Sequence, residues 1–190
     1  IDDKTPTAAE EIWDGLDGGG ISATSVGGLV GAAGSSGVIN YVKSFAGINF
    51  NGAARRGSGT SNVDGNSSGA GGGAWDFALT TDGSSLDIDG LAVGLGYGVA
   101  TNGEAAAGGR SDNDDEHATI FANYTFGPAT FGYQMSTIEY GNIGTAGENT
   151  DAWGLAFVVN EDLSISYGER EVEYDAPSAN NVTEDGDGIA

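Results

Sequence analysis

From Leu91 to Val99 every odd position is large and apolar, and from Gly90 to Ala100 every even position is glycine or alanine. Successive side chains of a β-strand point to opposite faces. One face of this segment is therefore an apolar band and the other is nearly bare. A sheet face in water would carry charge for solvation. A bare face behind an apolar band suits a strand with lipid on one side and a wide, wet lumen on the other.

The same period of two recurs along the chain. Val38 to Phe45 and Gly47 to Arg56 are joined by the tight Phe45-Ala46-Gly47. Trp75, Phe77 and Leu79 alternate with Asp76, Ala78 and Thr80 in the run from Trp75 to Asp82. Leu86 to Ala100 follows, with a turn-like start at Asp87 to Gly90. In Ala118 to Phe126 the alternation is broken by Phe121. Gly127-Pro128 turns the chain into Ala129 to Tyr140, where Phe131, Tyr133 and Met135 oppose Gly132 and Gln134. Asp151 to Val159 sets Trp153, Leu155 and Phe157 against Gly154 and Ala156. The last run starts at Leu163, and Glu169 to Glu173 extends it beyond the membrane, where charge costs little.

The connections alternate short and long. Short ones centre on Ala46, Gly83 to Asp89, Gly127-Pro128 and Glu161; long ones are Gly57 to Ala74, Thr101 to His117, Gly141 to Thr150 and Asp175 to Asp187. Short turns on one rim and long loops on the other mark an up-and-down barrel. Tyr124, Phe126, Phe131 and Tyr133 flank one short turn, and Trp75 and Trp153 follow long loops, as interfacial girdles would. The pattern predicts an all-β, antiparallel, up-and-down transmembrane β-barrel, of which about eight strands are present. A soluble β-sandwich would also use alternating strands. A closed eight-stranded barrel would have to fill its interior with side chains. Gly94, Gly96, Gly98, Gly154, Ala156 and Ser166 cannot fill one, which favours a wider barrel.

Residues 1–37 read differently. Thr5-Pro6 followed by Glu10 and Glu11 predicts one short helix ending near Asp14, with Thr5 as cap and Pro6 at its first position. Gly-, Ser- and Ala-rich sequence follows. The division expected is residues 1–37 as a loop carrying a short helix, and residues 38–190 as barrel strands of a single domain. The opening at Ile1 and the strand-like close at Gly188-Ile189-Ala190 are expected to be cut points with further strands on both sides.

Charge narrows the partners. The 190 residues carry 28 Asp and Glu against 6 Lys and Arg, a net charge of −22. Nucleic acid is excluded, because phosphate binding needs a basic footprint. Cysteine is absent, which removes disulfides, thiolate metal sites and a cysteine nucleophile. No run reaches the ~18 apolar residues of a membrane helix, but barrel strands need only about 9–11 alternating ones.

Gly37 to Phe50, Tyr124 to Gly127 and Leu163 to Gly168 resemble segments of the general porins of Gram-negative bacteria, especially the alphaproteobacterial type. The resemblance spans nearly all of residues 37–190 and rests on the order and spacing of such runs. It implies a homotrimer of about 16-stranded barrels in the outer membrane, among phospholipid and lipopolysaccharide, with a third loop folded into each lumen. Residues 1–37 would be that loop. Asp2, Asp3, Glu10, Glu11 and Asp14 would stand at a constriction, with Lys43, Arg55 and Arg56 as the facing basic candidates. Alternation from Phe50 puts Arg55 on the lumen face with Asn49 and Asn51, and Arg56 outward or at the rim. Asn123 and Gln134 are further lumen-facing candidates. The resemblance implies no enzyme and passive diffusion of small hydrophilic solutes and ions. The acid excess leans toward cations, because carboxylate rings favour them.

Other chemistry is thin. No cofactor is expected. The acidic loops Asp112 to Glu116 and Glu184 to Asp187 are weak calcium or magnesium candidates, through Asp112, Asp114, Asp115 and Glu116, that could bridge to lipopolysaccharide. His117, the lone histidine, reads as solvated beside such a loop. No Gly-x-Ser-x-Gly elbow, HExxH helix or phosphate loop occurs. The alternative function is a secreted or surface calcium-binding β-sheet module of adhesin type, without a pore.

Overall fold

The computed structural model describes residues 38–55, 73–100, 114–139, 147–175 and 182–189. Residues 1–37, and with them the expected helix and Asp2, Asp3, Glu10, Glu11 and Asp14, lie outside the described residues.

Among the described residues nine strands form one antiparallel sheet in strict chain order. They are β1 (Val38–Phe45), β2 (Ile48–Arg55), β3 (Ala74–Thr81), β4 (Leu91–Ala100), β5 (Asp115–Phe126), β6 (Ala129–Glu139), β7 (Gly147–Asn160), β8 (Leu163–Asp175) and β9 (Val182–Ile189). Each strand pairs with its chain neighbours, so the sheet is an up-and-down meander, with β1 and β9 as its two edges. It is not closed.

Eight of the strands follow the alternating runs. The ninth corrects the sequence reading, in which Asp175 to Asp187 was one long loop. Val182 to Ile189 pairs with β8 from Tyr174↔Val182 to Tyr167↔Ile189. Its acidic, glycine-rich sequence has no apolar alternation, so only the neighbouring backbone reveals it as a strand. A second correction concerns the start of β4. Asp87 and Gly90 have φ of 54° and 80°, outside the extended region, and Ser84–Leu86 is a single 3-10 turn. The strand therefore begins at Leu91. Gly90 is pinned there by the bond from the Thr125 amide to its carbonyl at 2.8 Å.

The short turns use the expected chemistry. Ala46 and Gly47, with φ of 50° and 79°, make a two-residue hairpin with both central residues left-handed. Gly127, with φ of 58°, precedes Pro128 in another two-residue turn. The β7–β8 hairpin carries a register shift between Val158 and Asn160.

The two faces differ sharply. Ile120 is 55% exposed while Gln134, one strand away on the other face, is 0% exposed. Trp75, Leu95, Met135, Leu155, Phe157 and Ile165 are exposed on the same apolar face as Ile120. A contiguous exposed apolar face of this size would be an aggregation hazard in water and is what a bilayer requires.

Aromatic rings are grouped on that face. Trp75 lies 6.5 Å from Phe77 and 5.6 Å from Tyr97, and Trp153 lies 6.5 Å from Phe131 and 5.6 Å from Tyr167. Three tyrosine hydroxyls donate to carboxylates, each at 2.5 Å: Tyr97 to Glu116, Tyr133 to Asp151 and Tyr167 to Glu169. Such rings are apolar at one end and polar at the other, which is the chemistry of a membrane interface.

Candidate pore wall

Strand register assembles the polar face into rows. One row runs from Asn40 on β1 through Ala53, Asp76, Gly98, His117 and Ile138 to Glu148 on β7. The next joins Ala78, Gly96, Thr119, Ser136, Thr150 and Val172. A third joins Thr80, Gly94, Phe121, Gln134, Ala152 and Arg170. These rows lie across several strands, so residues far apart in sequence become neighbours.

Hydrogen bonds tie the middle of this face. Gln134 donates from Nε2 to Ser136 Oγ at 2.8 Å, and the Ser136 and Thr119 hydroxyls are 2.9 Å apart. Thr119 also donates to the Met135 carbonyl at 3.2 Å. Thr119, Ser136, Thr150 and Gln134 are all buried. Toward the short-turn rim, Ser44 donates to Asn49 at 2.6 Å, and the Thr125 and Thr130 hydroxyls are 3.0 Å apart. Hydroxyls and carboxamides are the groups that replace the hydration of a polar solute without trapping it.

The sequence candidates separate by face. Asn49, Asn51, Asn123 and Gln134 occupy polar-face positions in the register. Arg55 shares a row with Ala74 and Val38, also on that face. Lys43 does not. It pairs with Phe50, which pairs with Leu79, on the apolar face. Alternation through Tyr41, Lys43 and Phe45 fixes this, because a period of two admits no exception within an unbulged strand. Arg56 and Asp112 lie outside the described residues. Asp114, Asp115 and Glu116 are at the entrance of β5, where Glu116 accepts the Tyr97 hydroxyl on the apolar side. Among the described residues no group of three acidic or histidine side chains is placed to hold a metal.

Four buried side chains of the polar face are not among the pore candidates named from the sequence. Arg170 is 6% exposed, Asp76 is 4% exposed, and His117 and Glu148 are also buried. His117 is thus no solvated loop residue; it lies inside β5. The signal for Arg170 was present in Glu169-Arg170-Glu171-Val172-Glu173, where alternation opposes Arg170 and Val172 to three glutamates. The polar face is also less bare than its glycines suggest, because Phe121 and Arg170 share a register row with Gly94.

An antiparallel meander with an apolar outer face, aromatic girdles and a hydroxyl-lined inner face narrows the choice of family, and the family model for Gram-negative porins matches residues 3–187. The chain belongs to the Gram-negative porins. This places it in the outer membrane. No curated protein and no solved structure matches it. Within this porin the short turns at Ala46-Gly47, Gly127-Pro128 and Glu161-Asp162 define the periplasmic rim, and the opposite strand ends carry the longer connections. The adhesin-type alternative has no support beside this family membership.

Proposed function

We propose that this porin passes small hydrophilic solutes and ions by passive diffusion through a water-filled pore, favours cations, performs no catalysis and works as a homotrimer. The observation that carries the selectivity is the charge on the polar face. Asp76, Asp115 and Glu148 occupy polar-face positions, and Arg170 is the sole basic residue whose side chain is described there. Arg55 adds a second cation by register. Carboxylates in excess raise the local cation concentration and repel anions.

The mechanism needs no bound cofactor. A solute sheds part of its hydration shell and exchanges it for the exposed groups of the same face, Ser44, Asn49 and Thr125. Opposed carboxylates and guanidiniums set up a transverse field, which orients dipolar solutes and disfavours apolar ones. In this reading the acids of residues 1–37, Asp2, Asp3, Glu10, Glu11 and Asp14, contribute to the narrowest part of the pore.

The test is planar-bilayer recording of the full-length protein under a potassium chloride gradient. Stepwise ohmic conductance with a reversal potential on the cation side is the expected result. Conductance with anion preference would remove the selectivity assignment, and absence of conductance would remove the pore.

A further inference from the structure

One strand of the polar face carries no side chain larger than a methyl group. On that face β4 presents Ala92, Gly94, Gly96 and Gly98. The polar-face side chains of β3 and β5 therefore oppose each other across a bare strand. At the Gly94 row the Phe121 ring fills the gap beside Thr80. At the Gly98 row Asp76 stands on one side and His117 on the other. Paired residues in an antiparallel sheet are alternately about 4.5 and 5.5 Å apart, so about 10 Å separates these two Cα atoms.

Asp76 is 4% exposed, and its Oδ1 accepts no hydrogen bond among the described residues. Burying an unpartnered carboxylate oxygen is unfavourable, and a cation offsets it. His117, also buried, forms the opposite wall of the gap. Its imidazole selects the kind of cation. Calcium and magnesium take oxygen ligands, whereas zinc, nickel and copper accept imidazole together with carboxylate. One such ion, with bonds of about 2 Å to each group, bridges what two side chains leaning over Gly98 leave open.

The charged neighbours are these. Asp115 precedes His117 by two residues on the same face, and Glu148 lies beyond Ile138 in the same row. Both add negative charge. Arg55 pairs with Ala74 while Asp76 pairs with Ala53, so Arg55 is the diagonal neighbour of Asp76, at about 7–8 Å. Among the described residues no third ligand completes a shell. The ion therefore keeps water at its other positions and exchanges with the lumen.

We infer that Asp76 and His117, opposed across Gly98, bind one divalent transition cation of the zinc, nickel and copper class on the pore wall. The inference rests on this face lining the lumen. A bound ion offsets part of the acid excess at that height.

The experiment titrates copper(II) into the full-length protein in detergent, read by electron paramagnetic resonance, and adds zinc chloride to bilayer recordings of the same preparations. Conductance of each variant without metal shows that it is folded. Wild type binds one copper per chain with imidazole-nitrogen hyperfine structure, and zinc moves its reversal potential toward the anion side. His117→Ala loses both the nitrogen signal and the zinc shift. Asp76→Asn keeps the nitrogen signal and weakens binding by at least the roughly tenfold that loss of even an outer-shell partner costs a metal site. Gly98→Val keeps both ligands, puts a side chain between them and weakens binding likewise. Wild-type affinity in both Asp76→Asn and Gly98→Val overturns the inference, since His117 then binds alone. Copper bound only in Arg55→Gln also overturns it, since Arg55 then holds the carboxylate. A protein that conducts without imidazole-bound copper overturns the inference and keeps the porin reading. One that binds copper in the expected pattern and never conducts overturns the pore instead.

Discussion

The ring of Phe121 lies over the backbone of Gly94. A β-carbon built on Gly94 would clash with Phe121 Cε1 and come 3.0 Å from Thr80 Cγ2. Phe121 is 4% exposed, so its ring cannot swing clear. Gly94→Ala therefore overpacks the polar face and costs about 1–3 kcal/mol. Urea unfolding of the folded protein in detergent measures it. The penalty shrinks in a Phe121→Leu background, and strict additivity of the two substitutions would show that the ring is not what Gly94 accommodates.

The hydroxyl–carboxylate ties on the apolar face make a second prediction. Tyr133 donates to Asp151 across the β6–β7 pair. Tyr133→Phe and Asp151→Asn each lower stability by roughly 0.5–1.5 kcal/mol, because the bond is partly exposed and one partner is charged. The double variant loses little more than either single one, since one bond is broken in all three. A double variant equal to the sum of the singles would dissolve the tie.

Selectivity is read by reversal potential. Arg55→Glu on the polar-face row of Ala74 raises cation over anion permeability. Arg170→Gln moves it the same way, and Arg170→Lys restores the starting value because the charge is kept. Unchanged potentials in Arg55→Glu would take that residue away from the conducting path.

Asp82 ties the periplasmic turn between β3 and β4. Its carboxylate accepts the Ser84 hydroxyl at 2.6 Å and the Ser84 amide at 3.1 Å. These bonds hold its pKa below the ordinary 3.8. A depressed carboxylate pKa contributes stability that is fully present above the unfolded value and is lost as pH falls through the folded one. Amide exchange at Ser84, corrected for intrinsic rate, therefore accelerates only when the pH drops below about 3.8. Asp82→Asn shows no such step. A step of the same size in that variant would assign the transition to another group.

Much of this was legible along the chain. The period of two located eight of the strands and sorted the side chains by face. Glycine and proline marked the turns. The errors share one cause. Val182 to Ile189 lacks an apolar stripe, so its pairing depends on the partner strand. The acidic loop preceding His117 suggests solvent, whereas its surroundings come from β4 and β6. Lys43 carries the charge of a constriction residue, but its alternation with Tyr41 and Phe45 puts it on the apolar face.

The sequence alone determined which face each residue of an extended segment occupies, because backbone geometry sends neighbouring side chains to opposite sides whatever they pack against. It also determined the class of both surfaces, apolar outside and polar inside, and hence the membrane setting. Only the tertiary structure decided who meets whom. Cross-strand register set Phe121 over Gly94, placed Gln134 and Arg170 in one row, and paired Lys43 with Phe50. Register arises from hydrogen bonding between strands, and a shift of two residues would keep every face assignment while changing every neighbour.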